Sequence, residues 1–201
     1  MLFRVRRPGP PLSDFIDNFW LYDGYSSPHA HERIFPNGTF ELVFNLRDDE
    51  LRIYSAADPG RYSRHSGALL SGPYNSFFIT DRAEEFSVMG VHFRPGGAFP
   101  FLGLSAYELA DMHLDLATLW GWRAEETRER LAAMASVRNR FQLLESTMRS
   151  RLHDPVKHHP AVSLALEVSA TTTRARSCES WREMPGSVIV DSSKSFVRKW
   201  G

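Results

Sequence analysis

The feature that most constrains this sequence is a long stretch, residues 32–94, in which short apolar runs alternate with turn-forming residues. The clearest run extends from Phe40 to Leu46. It alternates apolar and polar residues and then becomes continuously apolar, as in a well-covered strand. Pro36-Asn37-Gly38 before this run and Asp48-Asp49 after it are typical of turns. Several short strands separated by such turns indicate a β-barrel or a β-sandwich.

Further strands are indicated on both sides of this run. The same signals predict strands at 33–35, 51–54, 67–72, 75–80 and 86–94. Before them, Ser13 can cap a short helical turn, and the aromatic residues from Asn18 to Tyr22 favour a strand. We therefore predict a β-rich unit over residues 1–100.

The pattern changes after the break at Pro95-Gly96-Gly97. Ser105 and Glu108, three residues apart, match a capping box. Residues 124–152 are predicted to be helical, because apolar residues recur there at four-residue steps. The residues of that stripe are Phe141, Leu144, Met148 and Leu152. We therefore predict a helical linker over residues 101–168.

Composition and charge limit the function. The 201 residues include 24 Lys/Arg and 24 Asp/Glu, so the formal net charge is zero. Residues 1–170 carry 18 basic and 21 acidic side chains, and phosphate repels such a mildly acidic body. The single cysteine, Cys178, excludes an intrachain disulfide. Since neither a signal-peptide core nor an 18-residue apolar stretch is visible, we expect a cytoplasmic protein without membrane contact.

Several segments resemble one known family. They are the segment from Phe35 to Leu46, the triplet Ser71-Gly72-Pro73, and the segments 89–98 and 116–121. Together they are similar to the N-terminal domain of unknown function that precedes the helix-turn-helix region in some AraC-type transcription regulators. The string Phe93-Arg94-Pro95-Gly96-Gly97 is the most specific part. The similarity spans roughly residues 10–165.

This resemblance implies an α+β fold, with a cupin-like β-barrel followed by a helical linker. In such regulators the barrel senses a small-molecule effector or forms a dimer, and the helix-turn-helix units after the linker bind DNA. We therefore expect the sensing and dimerisation part of a regulator rather than an enzyme. Its expected partners are an unidentified effector and a second copy of the chain, with no cofactor.

The last residues, 169–201, depart from the family. Thr171-Thr172-Thr173 is a poor helix former, and Pro185-Gly186 would break any helix in the middle of this segment. Specific recognition of DNA by this family requires a helix seated in the major groove, and this segment offers no candidate for one. We therefore expect a disordered tail with weak, salt-sensitive phosphate contact, so that DNA is reached only through an intact full-length relative.

A frameshift would explain this tail. Back-translation of residues 181–201 with synonymous codons, shifted by one base, gives a second possible reading of the same DNA. The shifted frame spells an Ala-x-x-x-Gly turn, a Leu-Ser pair and an Arg-Arg-Phe string. That order is similar to the first helix-turn-helix of AraC-type regulators. Our hypothesis is that residues from about Ser169 onward are an out-of-frame translation, which truncates the regulator before its DNA-binding region.

Aromatic residues at strand spacing are candidates for lining a ligand pocket, as in the mouths of many barrels. The principal candidates are Trp20, Phe44, Phe77 and Phe93, with Phe78 and Phe99 as further ones. The alternative is that these side chains simply pack in the core.

A metal site is a second functional alternative. His29 and His31 lie on one side of a predicted strand, and with Glu41 they supply the two imidazoles and the carboxylate of a cupin metal site. His92 is the only good further candidate. Glu32 follows the pair at once and Glu41 follows ten residues later, so the usual spacing is not met. On this interpretation the protein would be a small metal-dependent enzyme. A third interpretation is an oligomerisation module, in which the helices at 125–152 pair between subunits.

Overall fold

The computed structural model describes residues 2–25, 31–55, 58, 60–81 and 86–152. Within them, ten strands and four α-helices confirm the mixed α+β class. The predicted tail at 169–201 and the last part of the predicted linker lie outside the described residues. No helix in the described part of the chain is both long and apolar enough to cross a bilayer.

Six of these strands form one antiparallel sheet, sheet A. They are β1 (Leu2–Arg6), β2 (Ile16–Tyr25), β4 (Glu41–Asn45), β7 (Ala68–Ser71), β9 (Phe86–Phe93) and β10 (His113–Asp115). Their order across the sheet is β1-β2-β9-β4-β7-β10. The other four strands form sheet B, in the order β3-β8-β5-β6. They are β3 (His31–Ile34), β5 (Glu50–Tyr54), β6 (Tyr62–Ser66) and β8 (Phe78–Asp81).

The helices are α1 (Phe99–Leu102), α2 (Ala117–Trp120), α3 (Arg123–Ala133) and α4 (Val137–Arg151), and a 3-10 turn spans Leu12–Asp14. The region predicted to be helical at 124–152 is thus two helices. The backbone is extended at Met134 and Ser136, and the Ser136 hydroxyl accepts a hydrogen bond from the Asn139 N–H at 3.4 Å. This cap starts α4.

The strands predicted between residues 32 and 94 are confirmed as β3, β4, β5, β7, β8 and β9. Three observed strands were not predicted. Each lies at a sheet edge and has a weak signal: β1 is rich in arginine, β6 is polar and largely exposed, and β10 has only three residues. Edge strands bury little of their surface, so their apolar pattern is weak.

The pleat of sheet A divides its side chains between two faces. One face packs against the helices and holds the main hydrophobic core. The largest fully buried side chains from this face include Phe19, Leu21, Leu42, Phe44, Met89 and Phe93, and the helices add Leu131, Leu144 and Met148. Strands and helices therefore share one core. The opposite side of sheet A faces sheet B.

The expected closed barrel is not what the described residues show. Their two sheets are hydrogen-bonded separately, and no ladder joins them. Side chains connect the sheets where β6 approaches β10: Asp115 Oδ1 accepts from the Ser66 N–H at 3.0 Å and lies 3.2 Å from His65 Nδ1. The described residues therefore form a two-sheet sandwich linked at this edge, and no closed barrel is shown among them.

Candidate functional site

A cavity of about 130 Å³ lies between the two sheets, and both contribute side chains to its walls. Most lining residues are apolar or aromatic. Asn37 lines the cavity and is also exposed, so the cavity opens to solvent beside the predicted turn at 36–38. An apolar cleft with a few convergent polar groups is the usual form of a small-molecule site.

Polar side chains form a continuous row across sheet A, on the face toward the cavity. Asn18 on β2 pairs with His92 on β9, which pairs with Glu41 on β4. Glu41 pairs in turn with Ser71 on β7, which pairs with His113 on β10. Directly opposed residues of an antiparallel pair lie on the same face, so one register aligns all five residues. We call these residues the polar row; Glu41, Ser71 and His113 line the cavity.

His113 ends the polar row in a setting that favours a neutral imidazole. Burial lowers the pKa of His113 to about 3, and the nearby His65 adds a smaller contribution. The Tyr74 hydroxyl contacts Nδ1, and burial raises the pKa of that phenol, so it keeps its proton and can donate. Nε2–H is then free to donate to Ser71 Oγ at 3.4 Å. His113 therefore acts in the cavity as an uncharged polar group.

Glu41 begins a chain of polar contacts that leads toward the cavity mouth. Its Oε1 lies 3.7 Å from His92 Nδ1, and His92 Nε2 lies 3.4 Å from Thr39 Oγ1. The Thr39 hydroxyl donates to Asn37 Oδ1 at 3.1 Å, and the Thr39 N–H donates to the same oxygen at 3.0 Å. The side chains of Thr39 and His92 thus connect the turn at 36–38 to the carboxylate of Glu41.

Sheet B brings a second carboxylate to the cavity. Glu32 on β3 lines the cavity with only 9% of its surface exposed, and it pairs with Thr80 on β8, which also lines the cavity. A carboxylate is rarely so buried in a protein unless it is paired, and Glu32 does interact with another group of the chain. The cavity therefore has an acidic group on each of its two walls.

Aromatic rings form another part of the wall. The Trp20 indole lies against Gly90, where an added Cβ would meet indole carbons at 2.3 and 2.4 Å. Tyr22 packs edge-on against Trp20 at 5.7 Å between ring centroids, and Phe3 stacks on Tyr22 at 4.3 Å. Trp20 Nε1 is buried and has no hydrogen-bond partner among the described residues. This wall therefore offers π faces and one spare N–H donor.

The structure places the four principal pocket candidates in different environments. Trp20 lines the cavity. Phe44 and Phe93 are fully buried on the opposite face of sheet A, where Phe44 lies 6.3 Å from Trp120 and Phe93 lies 5.5 Å from Phe101. Phe77 packs 6.2 Å from Phe35, which is itself a lining residue.

The candidate metal ligands do not converge within the described residues. His29 lies outside them. His31 is exposed and packs against Tyr54 at 4.6 Å, whereas its neighbour Glu32 lines the cavity with Glu41. The described part of the chain contains no group of three or more His, Cys, Asp or Glu side chains able to hold a metal ion. Among the candidates within the described residues, His92 and Glu41 lie close together, with 3.7 Å between His92 Nδ1 and Glu41 Oε1.

Sequence reasoning missed Ser71 and His113, and it considered Glu32 only as a metal ligand. Alternation along a strand shows that Glu41 and His92 oppose the apolar face, but only the register of five strands reveals the polar row. The signal that could have found it is a polar residue at an inward strand position.

Comparison with known proteins adds one finding. The family model described as Domain of unknown function (DUF6597) matches residues 4–115, which include nearly all of the two sheets and almost every residue lining the cavity. No curated protein matches the chain. Since the match covers more than half of the 201 residues, this chain belongs to the DUF6597 family.

Proposed function

We propose that this chain is the effector-sensing and dimerisation part of an AraC-type transcription regulator, with the cavity between the sheets as the effector site. The observation that carries the proposal is the cavity itself, in which the polar row meets an aromatic wall. The resemblance of its motifs to regulator N-terminal domains supplies the biological context. The proposal assigns no catalytic role to the cavity.

Buried hydrogen-bonding capacity that the described residues leave unused at the cavity supports a binding role. Buried polar groups weaken an interior unless hydrogen bonds satisfy them, and each shortfall costs about 1–3 kcal/mol. Ser71 and His113 contact each other, and His113 also contacts Tyr74, so their hydrogen bonding is met within the protein. Trp20, which lines the cavity, keeps its buried Nε1–H without a hydrogen-bond partner among the described residues, and a ligand with an acceptor atom would satisfy it.

Sheet A lies between the cavity and the helices, so a movement of its strands at the cavity would also change their contacts with the helices. Val43 lines the cavity, while its neighbours Leu42 and Phe44 are buried in the core on the other face. Arg128 on α3 donates to the carbonyl oxygens of Asn45 and Asp48, at 3.3 and 3.1 Å. A ligand that shifts β4 would therefore move both the core contacts and the polar contacts of α3.

A ligand screen tests the sensor proposal. The full 201-residue chain is exposed to mixtures of small neutral, anionic and cationic compounds, and binding is followed by ligand-observed NMR. Val43→Phe, which fills the cavity from the β4 wall, is the matched variant. Hits that Val43→Phe abolishes support the proposal. An absence of hits, or hits that survive the filling, would contradict it.

The DNA-binding part of the proposal concerns residues from about Ser169 onward, outside the described residues. There we propose an out-of-frame translation, so that DNA is reached only through an intact relative in a mixed dimer. Sequencing the coding DNA beyond codon 168 tests the frameshift, and a shifted frame closed by stop codons defeats it. Sedimentation at several concentrations tests dimer formation in the cytoplasmic regulator that we propose.

A further inference from the structure

We propose that the ligand of the cavity is a small organic cation, such as an alkylammonium or a quaternary ammonium compound. This inference rests on the cavity being the effector site. It adds the charge, size and shape of the effector, which the proposed function leaves open.

Charge is the first argument. Glu32 and Glu41 line the cavity, one from each sheet, whereas no Lys or Arg is among its described lining residues. His113, the only lining imidazole in that part of the chain, stays neutral because burial lowers its pKa to about 3. Charges in a partly buried site interact far more strongly than in water. The cavity therefore favours a positive ligand and repels an anion.

The aromatic lining is the second argument, and it is independent of the first. Phe3, Trp20, Tyr22, Phe35 and Phe78 all contribute to the walls. The face of an aromatic ring attracts a cation, most strongly for Trp and Tyr, and quaternary ammonium ligands are typically bound by such sets of rings. Neutral polar ligands gain much less from this lining. Rings and carboxylates thus select the same class of compound.

Size is the third argument. An apolar protein cavity of roughly 150 Å³ accommodates benzene, which has six non-hydrogen atoms, so a cavity of about 130 Å³ encloses about five. Nucleotides and other large effectors are therefore excluded without opening of the sheets. Choline is a suitable probe, because its trimethylammonium group and the adjoining methylene together have five non-hydrogen atoms, and its hydroxyl end can extend through the open mouth beside Asn37.

Calorimetric titration of the full chain with choline and with 3,3-dimethylbutan-1-ol tests this inference. The alcohol has the shape of choline with a carbon in place of the charged nitrogen. We expect choline to bind at least about tenfold more tightly than the alcohol. Glu32→Gln and Glu41→Gln should each weaken choline binding about tenfold and leave alcohol binding nearly unchanged. Glu129→Gln removes the same charge from an exposed position on α3 and should change neither.

The outcomes separate this inference from the proposed function. If the alcohol binds as tightly as choline, or if neither binds while other neutral or anionic compounds occupy the cavity, the ligand is not a cation but the sensor proposal stands. If no compound of any charge binds, both fail. Should a glutamine variant not fold, the comparison of choline with its neutral isostere in the unaltered chain still decides.

Discussion

The two faces of sheet A use the same strands for different purposes. Toward the helices, the central positions are apolar and fully buried, as at Leu42, Phe44 and Met89. Toward sheet B, the alternate positions include Glu41, Ser71 and His113, which line the cavity. The layer between sheet A and the helices thus holds most of the fully buried apolar side chains of sheet A, whereas the layer between the sheets holds the cavity and the polar row.

Truncation on the two faces gives the largest expected contrast. Phe44→Ala should lower the free energy of unfolding by about 3–5 kcal/mol, because it opens a void in the packed layer. Val43→Ala, one residue away, should cost about 1 kcal/mol, because its side chain already borders a cavity. Chemical denaturation measures both. Equal losses would show that the layers do not differ in packing.

An added methyl group at Gly90 should disturb the cavity face next most strongly. In Gly90→Ala the new Cβ would lie 2.3 Å from a Trp20 ring carbon and 2.5 Å from the Leu42 carbonyl oxygen. Overpacking of this kind costs about 1–3 kcal/mol. Because the indole must shift, the tryptophan fluorescence and any ligand affinity should change with the stability. A variant with unchanged stability and fluorescence would refute the close packing of indole and backbone.

His113 should make stability depend on pH. The unfolded chain binds the imidazole proton near pH 6.5, whereas the folded chain binds it only near pH 3. The stability associated with the neutral ring is therefore complete above pH 6.5 and is lost as the pH falls toward 3, at up to about 1.4 kcal/mol per unit. Denaturation of the wild type and of His113→Gln between about pH 7 and 4.5 measures the difference. Parallel curves would mean that His113 titrates normally.

The smallest effect is expected at the start of α4. Ser136→Ala removes the side-chain cap on Asn139 N–H and should cost about 1 kcal/mol, whereas Ser136→Gly should cost only a few tenths. Both variants act on the helical layer alone. Affinity for any cavity ligand should therefore stay constant, and a parallel loss of affinity would show that the two layers are more tightly coupled than their separate packing indicates.

The strands of the sandwich were largely predictable because their residues alternate along the chain. Phe40 to Asn45 shows the pattern that became β4, and the turn at 36–38 marks its start. Edge strands such as β1 and β10 were not predicted, because short or half-exposed strands need few apolar residues. The break between α3 and α4 was not predicted, because the apolar stripes continue on both sides of it.

The candidate site was predictable only in part. Alternation shows that Trp20 and Phe19 face opposite ways, but it cannot tell which face meets the helices and which borders the cavity. For this reason Phe44 and Phe93 were grouped with Trp20 as pocket candidates. The contribution of His113 depends on the pairing of β10 with β7, a strand distant in the sequence, which local patterns do not encode.

The polar row also bears on how the chain avoids misfolding. Because its five members come from five neighbouring strands, a slip of one residue in any strand would turn that polar side chain toward the helices and an apolar one toward the cavity. Each such slip would place a charged or hydrogen-bonding group in the hydrocarbon-rich layer. The residues that we propose as ligand-binding groups therefore also penalise incorrect strand alignments, so that selection for recognition would at the same time favour a single native pairing.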